Sequence, residues 1–265
     1  WTEGGGVLQE KLRIKGDGSI ITTTPGSNNT RIGLSAGVNL ASGSFRNTLI
    51  GDYAGEDITT GDYNIGVGYQ SLTQLTTGER NTALGYQALR SLTSTAAAYN
   101  VAIGFAAGEL MTTGAYNTLV GSLSGDAVTT GANNTALGYI TLSQATTGSS
   151  NVALGYSALT ATTTASNNTA IGTQAGGQNT TGANNVAVGK DALYSNTTPS
   201  GNTALGFEAG KDIVTGTGLT ATGYKAAENT TGNNNSAFGY NVMQVNTSGS
   251  QNSAFGAFAL DGNSS

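Results

Sequence analysis

The sequence predicts an all-β fold, a parallel β-solenoid of about fourteen turns of seventeen residues each. The first observation is a short segment that recurs along the chain, as in 81–85 (NTALG), 100–104 (NVAIG) and 168–172 (NTAIG). The second is its spacing, because most copies start seventeen residues apart. The third is the register of Leu, Ile and Val. A disordered chain rich in Gly, Thr, Asn and Ser has no reason to keep apolar residues at fixed intervals.

Residues 1–28 do not fit the repeat, so we assign them to a separate connecting segment. The alternation within 7–15, followed by Gly, Asp and Gly at 16–18 and by Ile20 and Ile21, predicts a short hairpin. Residues 29–265 are predicted to form one continuous solenoid domain, whose degenerate first turn begins near Asn29. At about 4.8 Å per stacked strand, this domain would be a rod on the order of 65 Å long.

Each turn is predicted to contain two short strands. In the first, alternation places the second and fourth residues on one face and the third and fifth on the other. The third and fifth residues are nearly always Ala and Gly, small enough for another backbone to approach closely. The large fourth residues are predicted to point into the core. This core aliphatic ladder consists of Leu84, Ile103, Val120, Leu137, Leu154, Ile171, Val188 and Leu205.

The second strand is predicted at segments such as 87–89 (QAL) and 107–108 (AG), and the turn then closes through Thr-Thr-Gly, as at 112–114. Two turns are irregular. The turn that starts at Asn81 holds two extra residues around 94–98, and the turn at 219–223 (LTATG) lacks both its Asn and its large aliphatic residue. The second of these is a predicted weak point.

The Asn that begins each turn permits a catalytic or ligand-binding interpretation, but we favour a structural one, in which stacked side chains bond successive turns. The structural Asn ladder consists of Asn47, Asn64, Asn81, Asn100, Asn117, Asn134, Asn151, Asn168, Asn185, Asn202, Asn235 and Asn252.

Aromatic residues follow the Gly of many turns and should stack one turn apart. They could bind sugars as an exposed stripe or cover the core, and we favour packing. This aromatic ladder consists of Tyr69, Tyr86, Phe105, Tyr139, Tyr156, Phe207, Tyr224 and Tyr240. The stacked Thr residues could in principle match ice or another crystal surface, although their place beside Gly favours turn chemistry.

Catalysis is not expected. The chain has no His and no Cys, the commonest general base and metal ligands, and we predict no catalytic residue, cofactor or metal site. A polysaccharide-degrading, tail-spike-like enzyme is an alternative, but it would need paired carboxylates about 5–9 Å apart. The net charge of −5, with ten scattered Lys and Arg, argues against a nucleic acid partner. No apolar run reaches the ~20 residues of a membrane span, so we expect no membrane insertion within the chain.

The repeat resembles the head repeats of YadA-like trimeric autotransporter adhesins, and similar repeats occur in phage tail fibres and related surface fibres. The resemblance covers about 47–256, on the motif seen at 100–104 and its later copies. It implies a left-handed parallel β-roll in which three chains pack along one axis. The repeat here is longer than in the adhesin heads, and no heptad stalk or C-terminal anchor strand is visible. Residues 11–20 resemble the strand-turn segments of phage-type fibres that end in an intramolecular chaperone.

We therefore expect a non-enzymatic structural and adhesive fibre segment, either a phage tail-fibre shaft or a bacterial surface fibre. A thin core and a small-residue face needing cover make association plausible, and the resemblance implies a homotrimer, intertwined or side by side. The expected partners are the chain itself, possibly end to end, and a host-cell receptor or glycan. The expected location is extracellular, on a virion tail fibre or a cell surface.

Overall fold

The computed structural model describes residues 13–14, 20–21 and 28–262, and residues 28–262 form a β-solenoid. Fourteen strands lie in one parallel sheet, each beside its neighbours in sequence. This confirms the predicted all-β parallel solenoid. The strands are β1 (Arg13–Ile14), β2 (Ile20–Ile21), β3 (Thr30–Ile32), β4 (Thr48–Ile50), β5 (Ile65–Val67), β6 (Thr82–Leu84), β7 (Val101–Ile103), β8 (Thr118–Val120), β9 (Thr135–Leu137), β10 (Val152–Leu154), β11 (Thr169–Ile171), β12 (Val186–Val188), β13 (Thr203–Leu205), β14 (Thr220–Thr222), β15 (Ser236–Phe238) and β16 (Ser253–Phe255).

Before the solenoid, β1 pairs with β2 in antiparallel fashion, with Arg13 opposite Ile21 and Ile14 opposite Ile20. This is the strand pairing of the predicted hairpin. The predicted turn at 16–18 lies outside the described residues.

The solenoid keeps its register through both irregular turns. Thr82 lies opposite Val101 although the intervening turn carries the insertion at 94–98. At the predicted weak point, Thr203 lies opposite Thr220 and Ala204 opposite Ala221. The sheet therefore passes through both departures from the repeat without a slip, and in the first of them the extra residues are confined to a loop.

The second predicted strand is wrong, because the described part of each turn contains one strand only. At 87–89 the backbone turns instead, with left-handed φ angles of 55° at Gln87 and 50° at Leu89. Its amides still bond to other turns, since Gln87 N–H donates to Tyr69 O at 2.8 Å and Leu89 N–H to Ala107 O at 3.0 Å. The segment thus has turn-to-turn bonding like that of a sheet without the extended backbone of a strand.

The prediction that the aliphatic ladder points into the core is also wrong. In β4–β16 the central residue of each strand is the buried one, as at Ala136 and Ala204, and the residues on either side of it face outward or are half-buried. In β3 the central Arg31 is half-buried. Leu137 is 46% exposed and Leu205 is 48% exposed. The ladder residues concerned are Leu84, Ile103, Val120, Leu137, Leu154, Ile171, Val188 and Leu205.

The narrow interior explains this reversal. Large side chains enter the core from the rest of the turn, including the fully buried Leu92, Met111 and Ile213, and leave room only for Ala on most strands. Where a strand does carry a central Leu, a glycine compensates: a Cβ on Gly125 would lie 2.8 Å from Leu119 Cδ2. The glycine thus leaves room for the leucine of its own turn.

The Gly after each strand forms a column in which no other residue fits. Its φ angles are positive, for example 132° at Gly121 and 138° at Gly206, a region that side chains rarely adopt. A Cβ on Gly121 would lie 2.1 Å from the carbonyl oxygen of Gly138 in the next turn. The close backbone approach expected at this position is therefore present. The glycine column is Gly33, Gly51, Gly68, Gly85, Gly104, Gly121, Gly138, Gly155, Gly172, Gly189, Gly206, Gly223, Gly239 and Gly256.

Candidate functional site: the exposed columns of the solenoid

The predicted Asn ladder residues lie in one column at the corner before the strands, buried except for the part-buried Asn252. Asn134 shows the pattern: its backbone N–H donates to Asn117 Oδ1 at 3.0 Å, and its Nδ2 donates to Gly148 O at 2.9 Å. The column also includes Asn29, whose Oδ1 accepts the N–H of Asn47 at 2.8 Å. Because these amides serve the backbone inside the chain, the ladder is structural in this geometry rather than a ligand site.

At Leu219 the ladder is interrupted but the turn is not. The Leu219 N–H still donates to Asn202 Oδ1 at 2.9 Å. Its side chain is buried, and Leu219 Cδ2 approaches to within 3.1 Å of where a Cβ on Gly210 would stand. At this turn a buried apolar side chain replaces the side-chain amide of the ladder.

The threonine corners serve the backbone as well. Thr129 Oγ1 donates to Thr146 O at 3.0 Å, and Thr146 Oγ1 donates to Thr163 O at 3.1 Å. The second Thr is exposed at corners such as Thr130 and Thr147, whereas Thr77 and Thr231 are half-buried. The exposed threonines therefore form an interrupted column rather than a broad array.

The outer strand face runs along the solenoid, and we define it as the first and third residues of β3–β16. It contains Thr, Ser, Val, Ile, Leu and Phe and no charged residue. Exposed members include Ile65, Val152 and Val186 at the first position and Leu154 at the third. Contiguous apolar patches beyond a few hundred Å² are uncommon on monomers and mark interaction sites.

The aromatic ladder lies along one edge of this face and is interrupted. Tyr69 and Tyr86 stack with ring centroids 5.2 Å apart, and Phe207 and Tyr224 do so at the same distance. Ser122, Thr173 and Lys190 occupy the equivalent position in other turns. Apart from the half-buried Phe207, all the predicted ring residues are exposed. The rings therefore pack on one another at the surface and do not cover the core.

A second column of rings was not found from the sequence. It consists of residues that directly precede the ladder asparagines, and we call it the Arg–Tyr ribbon: Arg46, Tyr63, Arg80, Tyr99 and Tyr116. The Arg80 guanidinium carbon lies 5.1 Å from the Tyr63 ring centroid and 5.6 Å from that of Tyr99. The rings of Tyr99 and Tyr116 stack at 5.5 Å with an interplanar angle of 8°. The one available signal was that Arg and Tyr occupy equivalent positions of successive repeats.

An ion cluster lies in the C-terminal part of the rod, formed by Glu208, Lys211, Lys225, Glu228 and Gln244. Lys225 Nζ lies 2.9 Å from Glu208 Oε2 and 3.2 Å from Glu228 Oε1, while Lys211 Nζ lies 3.1 Å from Glu208 Oε1. Gln244 Nε2 donates to Glu228 Oε2 at 2.7 Å. The hydrogen bond from Lys225 lowers the pKa of Glu208, and the same bond raises the pKa of Lys225. The charges satisfy one another, as in a structural network.

Carboxylates elsewhere do not assemble into a larger cluster. Among the described residues, no three or more His, Cys, Asp or Glu side chains are grouped so that they could hold a metal ion. Glu109 pairs with Arg90 at 2.8 Å. Burial raises the pKa of Asp126, and the neighbouring charge of Glu109 adds to the effect. These groups lie in separate turns of the same wall.

No helix within the described ranges has the length and apolarity needed to cross a membrane. Comparison with known proteins gives no match, whether to a family model, a curated protein or a solved structure. The surfaces of the rod themselves must therefore carry the functional argument.

Proposed function

We propose that this chain is a segment of a structural and adhesive fibre, in which copies of the chain associate along their length, most simply as a homotrimer. The observation that carries the proposal is the outer strand face. It presents apolar side chains along a rod whose interior is already filled. Covering this face removes exposed Val, Ile and Leu from water at about 25 cal/mol per Å².

A second copy of the chain is the occupant that best fits this face. The apolar side chains repeat once per turn, and a partner that packs against them along the whole rod must repeat at the same spacing. Another copy of the chain has the same spacing between turns, because its sequence is the same. The absence of charge on the face also avoids like-charge repulsion between identical surfaces, which would disfavour self-association.

The size of the face is compatible with a stable interface. Fourteen strands stacked at about 4.8 Å give a length on the order of 65 Å, and a width of about 10 Å gives roughly 600 Å² before side-chain relief is counted. Standard protein interfaces bury about 800 Å² per partner.

The resemblance to adhesin head repeats favours three chains over two and supports an extracellular fibre, on a virion or a cell surface. In this proposal the mechanism is mechanical: association stiffens the rod, and exposed corners that remain outside the interface contact a receptor or a glycan. Neither role requires a catalytic group.

The experiment is the mass of the particle by light scattering coupled to size exclusion, with its shape by small-angle scattering. We expect a rod of three times 26.4 kDa. The variant Leu137→Lys with Leu154→Lys charges the outer strand face and should dissociate it. Leu110→Lys is the matched control, since Leu110 is equally exposed at 46% but lies outside this face.

A wild-type chain that remains monomeric at micromolar concentration would contradict the proposal. So would a trimer that the charged variant leaves intact, because the interface would then lie on another surface. Retained circular dichroism in each variant shows that the solenoid itself is unaffected.

A further inference from the structure

The corner position that precedes each ladder asparagine changes character along the rod. In the first half it carries the Arg–Tyr ribbon. Beyond Tyr116 the same position holds small polar residues and glycine: Asn133, Ser150, Asn167, Asn184, Gly201, Gly218, Asn234 and Gln251. The scaffold therefore folds equally well without arginine or tyrosine at this corner.

The backbone at this corner favours the second set. Its φ angle is left-handed throughout, for example 59° at Arg80, 51° at Tyr99 and 58° at Asn133. Asn and Gly accept this conformation readily, whereas other residues lose roughly 1–2 kcal/mol in it. Arginine and tyrosine are unfavourable local choices at five successive rungs. The same left-handed conformation recurs elsewhere in the turn, at residues such as Gln87 and Leu89, so the strain belongs to the scaffold. What the fold does not require is the choice of arginine or tyrosine at these rungs.

The ribbon side chains add nothing to the core, because all five are exposed, Tyr63 at 42% and Tyr116 at 58%. They are nevertheless ordered by one another. Arg46 Nη1 donates to Tyr63 Oη at 2.8 Å. The guanidinium carbons of Arg46, in the preceding turn, and of Arg80, in the following turn, lie 5.4 Å and 5.1 Å from the Tyr63 ring centroid. A ligand would meet side chains whose conformational freedom is already restricted, which reduces the entropy lost on binding.

The charge and size of the ribbon restrict its ligand. Two arginines are balanced by two neighbouring carboxylates, Asp62 and Glu79, so the local net charge is zero (two minus two) and does not select a polyanion. Five rungs at about 4.8 Å span roughly 20 Å, and a strip about 10 Å wide covers on the order of 200 Å². That area is far below the ~800 Å² per partner of a standard protein interface.

We propose that the Arg–Tyr ribbon binds an uncharged oligosaccharide that lies along the rod axis. The phenol hydroxyls, guanidinium groups and carboxylates would form hydrogen bonds with sugar hydroxyls, and the edges of the tyrosine rings would contact the sugar. Sugar hydroxyls both donate and accept, which suits this mixture of donors and acceptors. The inference rests on the proposed adhesive fibre in that it identifies where the fibre binds and the class of glycan it takes.

The test is binding of the intact assembly to an array of neutral, carboxylated and sulfated glycans, followed by titration calorimetry with the neutral oligosaccharide bound most strongly. The ribbon variant Arg46→Asn, Tyr63→Asn, Arg80→Asn, Tyr99→Asn, Tyr116→Asn uses the residue that the chain itself places at this corner, so it should fold. The competing variant Tyr139→Asn with Tyr156→Asn removes two equally exposed rings from the aromatic ladder.

We expect a neutral glycan to bind, the ribbon variant to lose at least tenfold in affinity, and the aromatic-ladder variant to keep wild-type affinity. Three outcomes would overturn the proposal: no glycan binds, only charged glycans bind, or the ribbon variant binds as well as wild type. If no glycan binds, the ribbon would instead be a contact site for a protein. Light scattering on the same samples separates the two proposals. A trimer that binds no glycan would contradict the glycan proposal alone, and a monomer that binds glycan would contradict the fibre proposal alone.

Discussion

Two regions of the rod carry charged side chains on the same neutral scaffold, and they do so in opposite ways. In the ion cluster, the side chains of Lys225, Glu208 and Glu228 are at most 25% exposed and bond to one another. In the Arg–Tyr ribbon, Arg46 and Arg80 are exposed and lie against tyrosine rings that are exposed as well.

This difference distinguishes side chains that stabilise the solenoid from side chains that the solenoid presents at its surface. The cluster is closed on itself and acts in holding neighbouring turns together. The ribbon lies at a corner where the backbone favours asparagine, yet five rungs hold arginine or tyrosine. Five successive exposed side chains that the fold does not require are the stronger indication of function. Burial combined with complete pairing is typical of structure.

The largest expected effect should be the same in both regions, because it concerns the scaffold they share. Gly85→Ala in the ribbon half would place a Cβ 2.2 Å from Gly104 O, and Gly206→Ala in the cluster half would place one 2.3 Å from Gly223 O. We expect each to lower the free energy of unfolding by about 3 kcal/mol or more, measured by urea denaturation. Gly43→Ala is the control, since its Cβ meets nothing within 4 Å. A tolerated Gly85→Ala would contradict the shared-scaffold argument.

A smaller and pH-dependent effect should be confined to the cluster. Because the pKa of Glu208 is lowered in the folded chain, its ionised form stabilises the fold above its ordinary value of 4.5, and this stabilisation is lost as the pH falls through the lowered pKa. Glu208→Gln should therefore cost roughly 1–3 kcal/mol at pH 7. The difference from wild type should shrink toward pH 2.

Thermal unfolding of both proteins across this pH range measures the effect of Glu208→Gln. Glu79→Gln, which removes the exposed partner of Arg80, is the matched control in the ribbon and should change stability at pH 7 by less than about 1 kcal/mol. Equal losses from the two variants would mean that burial does not distinguish the two sets of charges.

The smallest expected effect tests the corner itself by exchanging residues between the regions. Asn167→Tyr should lower stability by about 1 kcal/mol, because the left-handed backbone disfavours tyrosine and its neighbours in the column, Ser150 and Asn184, offer no ring to stack on. Tyr116→Asn should change stability by less than about 0.5 kcal/mol, since relief of the backbone offsets the lost stacking. Calorimetric unfolding measures both, and a neutral Asn167→Tyr would show that this corner does not disfavour tyrosine.

The repeat made the architecture predictable, because a period of seventeen residues and a strand-forming segment in each period leave few alternatives to a solenoid. Alternation could not say which strand face is inside. Leu137 is larger than Ala136 and was placed in the core on that ground, but the rest of the turn already fills the interior. Turns with a central Leu, at Leu49 and Leu119, have Gly at 55 and 125, but Gly also stands at the equivalent position 108, where the strand carries Ala102. The pairing of Leu with Gly was therefore too weak a signal to identify the inner face.

The asparagine and glycine columns were predictable because their chemistry repeats in nearly every turn. The ribbon was not, because it occupies only five rungs and each member taken alone is an ordinary surface residue. The ion cluster was equally hidden, since Glu208 and Lys225 lie 17 residues apart, Glu228 and Gln244 lie 16 apart, and they become neighbours only when the turns are stacked. Non-repeating features of a repeat protein need the three-dimensional register before they can be seen.

The single strand per turn has a consequence for how the rod responds to force. Strands lie across the long axis, so the hydrogen bonds that join successive turns run parallel to it. When the two ends are pulled apart, the hydrogen bonds between turns break one turn at a time, starting at the ends of the solenoid. A force perpendicular to the long axis is instead resisted by the whole sheet at once. An isolated chain is thus stiff under lateral load and weak under tension. In an assembly of chains fixed along their outer strand faces, neighbouring chains would share the tension at every turn.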